Sequence, residues 1–499
     1  MKAWLARVSL RPLLPALLAG LALPLAFAPF GLFPLAMVSL AVLFWLWREM
    51  SPRQAFLSGY LFGVGYFGLG ASWVAVSMYR FGGMGVALSL LSTLLFVLVL
   101  AAFPAVTGWL YRRYFARFSR PLRLLLVLPA LWGLLEWTRG WILTGFPWLA
   151  LGYSQTDSPL GGVAPVLGVY GIGWLVTLSA GLLLLAWQMP ARRWLPLLAL
   201  LGIWVLGAGL SQVEWSAPAG EPLRASLIQG NVPQNLKWLP EQRQPTIDLY
   251  TRLSRQHWAD SDIVIWPETA LPAYYHQAER FLQGLAAEAA RHGSSLMLGL
   301  PVRPESAPDT YYNSVVAMGE PVQFYNKHHL VPFGEYIPLK DLLGGLLDIL
   351  QVPMADFSRG AAVQPPLAVA GQKIAVSICY EDAFGEEVIR ALPQATVLVN
   401  VSNDAWFGDS LAPHQHLQMA RMRSMETARP MFRATNNGIS ALIDHRGRVT
   451  ARSPQFEVYV LSGSLQPRRG ATPYVLGGNY SLLVLLLSSL LLAVVVQRR

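Results

Sequence analysis

Apolar residues along the chain fall into two patterns. Long unbroken runs cover about 10–28, 30–47, 54–78, 84–107, 122–139, 163–187, 194–211 and 476–496. A helix needs about 20 mostly apolar residues to cross the hydrocarbon core of a bilayer, so these eight runs predict eight transmembrane helices. Between the seventh and the eighth the pattern shortens to β-rich stretches of a few residues: Ala225–Gln229, Ile263–Trp266, Ser295–Gly299, Ser314–Met318, Ile374–Cys379, Thr396–Val401, Ile439–Ile443 and Val458–Leu461. A helical period over 276–292, closed by Gly293 as a C-terminal cap, lies among them. Strands alternating with helices predict a layered α/β domain. The chain therefore divides into helices 1–7 over 1–211, one extramembrane domain over 212–475, and helix 8 with a tail over 476–499.

Composition sharpens this division. Of 499 residues 54% are hydrophobic and 13% charged, against about a quarter charged in an ordinary soluble domain. The block 212–475 holds 22 Lys+Arg and 25 Asp+Glu, whereas the flanks hold 16 and 3, so the net +10 belongs to the apolar flanks. Those cations sit in short connectors rather than on one folded face, so no nucleic-acid partner is expected. Alternate connectors carry 14 Lys and Arg, from Lys2, Arg7 and Arg11 through Arg112, Arg113 and Arg117 to Arg498 and Arg499, and the opposite ones carry only Arg80 and Arg139. Cytoplasmic loops collect positive charge. Both termini are thus expected in the cytoplasm and the large block on the far side, the periplasm of a bacterium. Ala26-Phe27-Ala28 resembles a signal-peptide cleavage site, but Pro29 and a second apolar run follow at once, so an uncleaved anchor is expected.

The extramembrane block contains the single cysteine, Cys379, which has no partner for a disulfide within the chain. Two strands end in polar residues of reactive type. Ile263-Val264-Ile265 runs into Trp266-Pro267-Glu268, and Ile374 to Ile378 runs into Cys379-Tyr380-Glu381-Asp382. Strand ends are where α/β folds commonly assemble sites. A third segment, Tyr325-Asn326-Lys327-His328-His329 through Phe333-Gly334-Glu335-Tyr336, sets a lysine among aromatic and turn residues. His328-His329 and His414-x-His416 lack the further ligands of a usual zinc site, so neither metal nor cofactor is expected. Glu136 and Arg139, three apart near a helix end, read as a helix-surface ion pair, with a role in substrate access the alternative for ionisable groups at membrane depth.

Each feature alone is weak, but Glu268, Lys327 and Cys379, in that order and with the flanks quoted, resemble the Glu-Lys-Cys triad of the nitrilase, or carbon–nitrogen hydrolase, superfamily. With apolar flanks around such a domain, and with Gly145-Phe146-Pro147-Trp148-Leu149 and Gly152-Tyr153-Ser154-Gln155 in the helical part, the chain resembles the bacterial apolipoprotein N-acyltransferase family. The resemblance implies an αββα sandwich beside the membrane bundle. It implies that Cys379 is the nucleophile, Glu268 the base and Lys327 the oxyanion partner, with Glu335 a second carboxylate that positions the lysine or shares proton transfer. It also matches Trp238 to a loop tryptophan near the active site, and Tyr380 and Glu381 to positions next to the nucleophile; all three are expected to contact substrate, the alternatives being an interfacial anchor for Trp238 and hydrogen-bonding of the strand end for Tyr380 and Glu381. The reaction implied is ping-pong: Cys379 takes a fatty acyl group from a phospholipid, with phosphatidylethanolamine the expected donor, and passes it to the α-amino group of an N-terminal diacylglyceryl-cysteine on an apolipoprotein. A monomer is expected. The rival readings are a membrane-tethered amidase or nitrilase acting on a small amide, and a ligand-binding membrane sensor without catalysis. Gly and Pro around 352–366 suggest a lid.

Overall fold

The computed structural model describes residues 13–305, 307, 309–336 and 357–499. They form two compact units, one comprising the chain up to Ala75, Ala87–Val213 and Gly477–Arg499, the other Val76–Val86 and Glu214–Leu476.

The first unit is helical. All eight apolar runs fold as helix, but they differ in length. Among the described residues Val86–Tyr114, Arg120–Arg139, Pro159–Gln188 and Tyr480–Arg498 are long and apolar enough to cross a membrane. Pro52–Gly70 and Trp73–Arg80 pass the same test only together, bent by 53°. Leu13–Ala26, Pro34–Trp47 and Trp194–Leu210 are shorter, so helix length supports four or five full crossings where hydropathy predicts eight. The shortening has local causes. Leu23–Ala26 winds as 3-10 helix, and Pro34 starts its helix four residues into the second run. Lys2, Arg7, Arg11 and the start of the first run lie outside the described residues. Small residues let these helices approach closely: a Cβ on Gly59 would lie 2.6 Å from the Pro104 carbonyl oxygen, and one on Gly63 2.6 Å from Ala101 Cα. Glu136 and Arg139 are not on the surface. They are buried 3.8 Å apart, Glu136 accepting from Leu151 N–H at 2.9 Å and Arg139 donating to the Phe146 and Trp148 carbonyls. The pair thus holds the Gly145–Leu151 turn in place.

The second unit has fourteen strands among its described residues. A short pair joins β1 (Ala217–Pro218) to β14 (Arg468–Arg469). One six-stranded sheet contains β2 (Leu223–Gln229), β3 (Ile263–Ile265), β4 (Ser295–Val302), β5 (Tyr312–Met318), β6 (Gln323–Asn326) and β13 (Tyr459–Leu465), in the order β13-β2-β3-β4-β5-β6. The other contains β7 (Leu367–Val369), β8 (Gln372–Ile378), β9 (Val397–Ser402), β10 (Met431–Thr435), β11 (Ala441–Ile443) and β12 (Val449–Arg452), in the order β12-β11-β10-β9-β8-β7. Each sheet has three parallel strands at its centre, β2-β3-β4 and β8-β9-β10, with antiparallel strands outside them.

Alternation along the strands builds the layers. Leu227, Ile265, Met297 and Val315 from the first sheet meet Ile378, Val399, Val401 and Phe432 from the second in one apolar core. The opposite face of the first sheet, with Val264, Trp266 and Leu298, packs on helices Pro240–Arg255 and Tyr275–Arg291. The opposite face of the second, with Leu398, Met431 and Ile443, packs on helix Ala412–Thr427. The unit is an αββα sandwich, and Gly293, at φ +74°, ends helix Tyr275–Arg291 where its cap is expected.

Candidate active site

Three strand ends of the second unit converge on one buried cluster. Beyond β3 the chain turns sharply, with Thr269 at φ +49°. Trp266 N–H still bonds to Met297 and Ala270 N–H to Gly299, so Glu268 projects from a loop pinned at both ends to β4. Gly299 has to be a glycine, because a Cβ there would lie 2.7 Å from Glu268 Cα. Glu268 is nearly buried, and both its oxygens are engaged. Oε1 accepts from Asn313 Nδ2 at 2.7 Å and faces Lys327 Nζ at 3.4 Å, while Oε2 accepts from Asn403 N–H at 2.9 Å.

Lys327 follows β6 and is fully enclosed. Its N–H donates to the Asn313 carbonyl and its carbonyl accepts from Gly360 N–H, both at 2.8 Å, and its ammonium lies 2.9 Å from Glu335 Oε1. Burial alone would depress this ammonium, but Glu335 and Glu268 outweigh it and hold the lysine above its ordinary range, so it is a fixed cation. Glu335 is held in turn by Val331 N–H at 2.8 Å and Asn313 Nδ2 at 2.9 Å.

Cys379 leaves β8 in the left-handed region, at φ +52°, where a side chain is rarely found. Burial and Glu268 push its thiol well above the usual range, with Lys327 pulling the other way. The sulfur is therefore a thiol at rest and needs a base, and of the carboxylates acting on it Glu268 acts more strongly than Asp404. Behind the thiol, Glu381 takes Ile378 N–H and Tyr325 O–H on Oε2, and His328 and His329 N–H on Oε1, at 2.7 to 3.1 Å. Burial lifts its carboxyl to about 7 despite these donors. The two histidines thus serve through their backbone. Tyr380 packs edge-on against Phe384.

Of the residues expected in a site, Glu268, Lys327, Glu335, Cys379, Tyr380 and Glu381 come together. Trp238 is 53% exposed at the end of the Asn231–Trp238 loop, and the loop reaches the cluster through its neighbour, since Lys237 Nζ donates to the Glu268 carbonyl at 3.3 Å. Burial lowers the Lys237 ammonium to about 8. Lys237, Asn313 and Asn403 are not singled out by the sequence. Asn403 could have been, because Asn403-Asp404 closes β9 just as Glu268 and Cys379 follow β3 and β8; Asn313 sits inside a strand and carries no such signal. Of the lid segment, 352–356 lies outside the described residues. The remainder is irregular but tied down, with Phe357, Ser358 and Gly360 N–H bonded to Glu335, Tyr311 and Lys327.

Residues 19–182 match the apolipoprotein N-acyltransferase N-terminal domain and residues 224–474 the carbon-nitrogen hydrolase family. The apolipoprotein N-acyltransferase of Methylococcus capsulatus is 52% identical over 94% of this chain and 93% of its own. The chain belongs to the apolipoprotein N-acyltransferase family. The family member of Nitrosomonas europaea is 47% identical over 96% of both chains, and that of Azotobacter vinelandii 45% over 95% and 92%. Likeness to apolipoprotein N-acyltransferases over nearly the full length favours the acyltransferase reading over the small-amide hydrolase and the sensor.

Proposed function

We propose that the protein moves a fatty acyl chain from a phospholipid to the N-terminal amine of a diacylglyceryl apolipoprotein through a thioester on Cys379. The observation that carries this reading is the juxtaposition of a buried thiol with one carboxylate and one permanent cation, in a chain that also has helices long and apolar enough to cross a membrane.

The chemistry follows from the protonation states. Glu268 takes the proton of the Cys379 thiol as the sulfur attacks the ester carbonyl, and the oxyanion that forms faces Lys327. Such stabilisation is strong because the cation is already in place and water is excluded. As the intermediate collapses, the C–O bond breaks and the lyso-lipid alcohol leaves with the proton held by Glu268. The acceptor amine then attacks the thioester, Glu268 receives its proton, and the C–S bond breaks to leave an amide and a thiolate that recovers that proton. Glu335 and Asn313 keep Lys327 and Glu268 aligned, Glu381 braces the strand end carrying Cys379, and Trp238 and Tyr380 contact the lipid substrates. The domain over 212–475 is the catalytic part, and 1–211 with 476–499 is the membrane part.

The eight apolar helices are taken as spans, which with 14 cations on one set of connectors puts both termini in the cytoplasm and the catalytic unit in the periplasm of the inner membrane. Phosphatidylethanolamine is the proposed donor, and a monomer the working form. Incubating the purified full chain in detergent with phosphatidylethanolamine and no acceptor should yield a hydroxylamine-sensitive acyl adduct by intact mass, absent from Cys379→Ala. A folded protein with no adduct would refute the thioester.

A further inference from the structure

The face of the second sheet beneath helix Ala412–Thr427 should be apolar, yet a polar line crosses it. Ser377 of β8, Asn400 of β9 and Arg433 of β10 are register partners on adjacent strands. Arg433 is fully buried, which is costly for a charge unless it is paired and hydrogen-bonded. It is paired twice, through Nη1 to Asp382 and Nη2 to Asp404, each at 3.1 Å. His416, from the covering helix, closes the figure: its Nε2 lies 3.0 Å from Asp382 and its Nδ1 3.0 Å from Asp404. Two carboxylates and two cations form a closed ring of solvent-free groups. Both imidazole nitrogens face carboxylate oxygens, an arrangement only the doubly protonated ring satisfies.

The ring does not stand alone. His416 Nε2 also lies 3.2 Å from the Cys379 carbonyl oxygen, and Asn400 Nδ2 donates to the same oxygen at 3.3 Å. Asn400 is itself fixed by Arg433 at 2.5 Å and by Ser377 Oγ at 3.0 Å. Ser402 donates to Asp404 at 2.8 Å. His416 and Asn400 thus both tie the ring to a residue with a left-handed backbone. Such a conformation persists only where its surroundings over-determine it.

We infer that the Asp382–His416–Asp404–Arg433 ring is the device that positions the nucleophile, with His416 and Asn400 gripping the Cys379 carbonyl so that the thiol is presented to Glu268 and Lys327. His416 and Asn400 are positioning residues, touching neither lipid nor the reacting atoms. The inference rests on the acyl-transfer reading above, and its test includes a reaction independent of lipid. Cys379 is the only cysteine, so alkylation by iodoacetamide reports on its presentation alone.

The full-length protein in detergent would be compared with His416→Leu, His416→Gln and Asn400→Ala for three readouts: rate of thioester formation from phosphatidylethanolamine, rate of alkylation, and melting temperature. His416→Leu should slow both rates at least tenfold. Gln, which keeps a donor at the place of Nε2, should recover most of the loss. Asn400→Ala, which changes no charge, should slow both several-fold without raising the phospholipid concentration needed for half-maximal rate. A folded His416→Leu or Asn400→Ala protein that acylates and alkylates at the wild-type rate overturns the inference. If His416→Leu does not fold, Asn400→Ala decides alone. A wild-type protein that alkylates but forms no thioester refutes the acyl-transfer reading instead, and the dependence of alkylation on Asn400 still decides the positioning role.

Discussion

At the scale of single residues, the site is governed by which groups hold protons at rest. Burial and the neighbouring Glu268 keep Cys379 protonated, so a variant that removes the acceptor for that proton should fail at the first step. Glu268→Gln preserves the shape of the side chain and its contact with Asn313, and should lower the rate of thioester formation by about 10²-fold or more, as measured by intact mass against time. Asn313 spans the two carboxylates with a single amide, 2.7 Å from Glu268 and 2.9 Å from Glu335. Asn313→Ala should therefore slow thioester formation by about tenfold, within the range expected when an aligning contact is lost, while leaving the melting temperature within a few degrees. Glu268, Lys327 and Cys379 were legible in the sequence because each follows a recognisable strand or sits in a distinctive flank. Asn313, inside β5, and Lys237, beside an exposed tryptophan, gain their meaning only when the chain folds back on itself.

At the scale of elements, periodicity exposes the strands whose two faces are both apolar and conceals those carrying buried charge. β8 and β9 read as apolar runs. β10 does not, because Arg433 and Thr435 alternate with Phe432 and Ala434, a pattern that looks like a strand with one wet face although that face is fully covered by helix Ala412–Thr427. The membrane helices show the opposite failure. Hydropathy finds all eight runs but not their ends, since the 3-10 turn at Leu23–Ala26, the late start at Pro34 and the bend before Trp73 leave no mark on an apolar count. The close passage of β4 beneath the Glu268 loop yields a prediction of its own. Gly299→Ala would bring a methyl group to 2.5 Å from the Pro267 carbonyl, and the obstacle is backbone that cannot swing away. The variant should lose about 1–3 kcal/mol of stability, seen as a lowered melting temperature, together with acylation activity as Glu268 is displaced.

At the scale of the whole molecule, the buried ring makes stability depend on pH. Burial and Arg433 oppose protonation of His416, but Asp382 and Asp404 outweigh them and raise its imidazole to about 9, against about 6.5 in an unfolded chain. The stabilisation is thus fully present below about pH 6.5 and is lost as pH rises through 9. Asp404 works in the other direction: burial would raise it, but Arg433 and His416 hold it well below its ordinary range, so its contribution disappears on acidification below about pH 4. The melting temperature of the wild type minus that of His416→Gln should be steady near pH 6 and shrink toward pH 9; a constant difference would place the protonated histidine elsewhere. The division of the chain has a practical consequence for anyone wishing to express the catalytic part alone. Val76–Val86 belongs with that part, and Phe81 lies edge-on to Trp406, 6.0 Å between ring centres, two residues beyond Asp404 of the ring. Cuts at Glu214 and Leu476 would yield a fragment missing one of its own pieces, with Trp406 stripped of its aromatic neighbour. Supplying the missing segment as a fused linker or a synthetic peptide should make such a fragment more soluble and more heat-resistant than the bare excision.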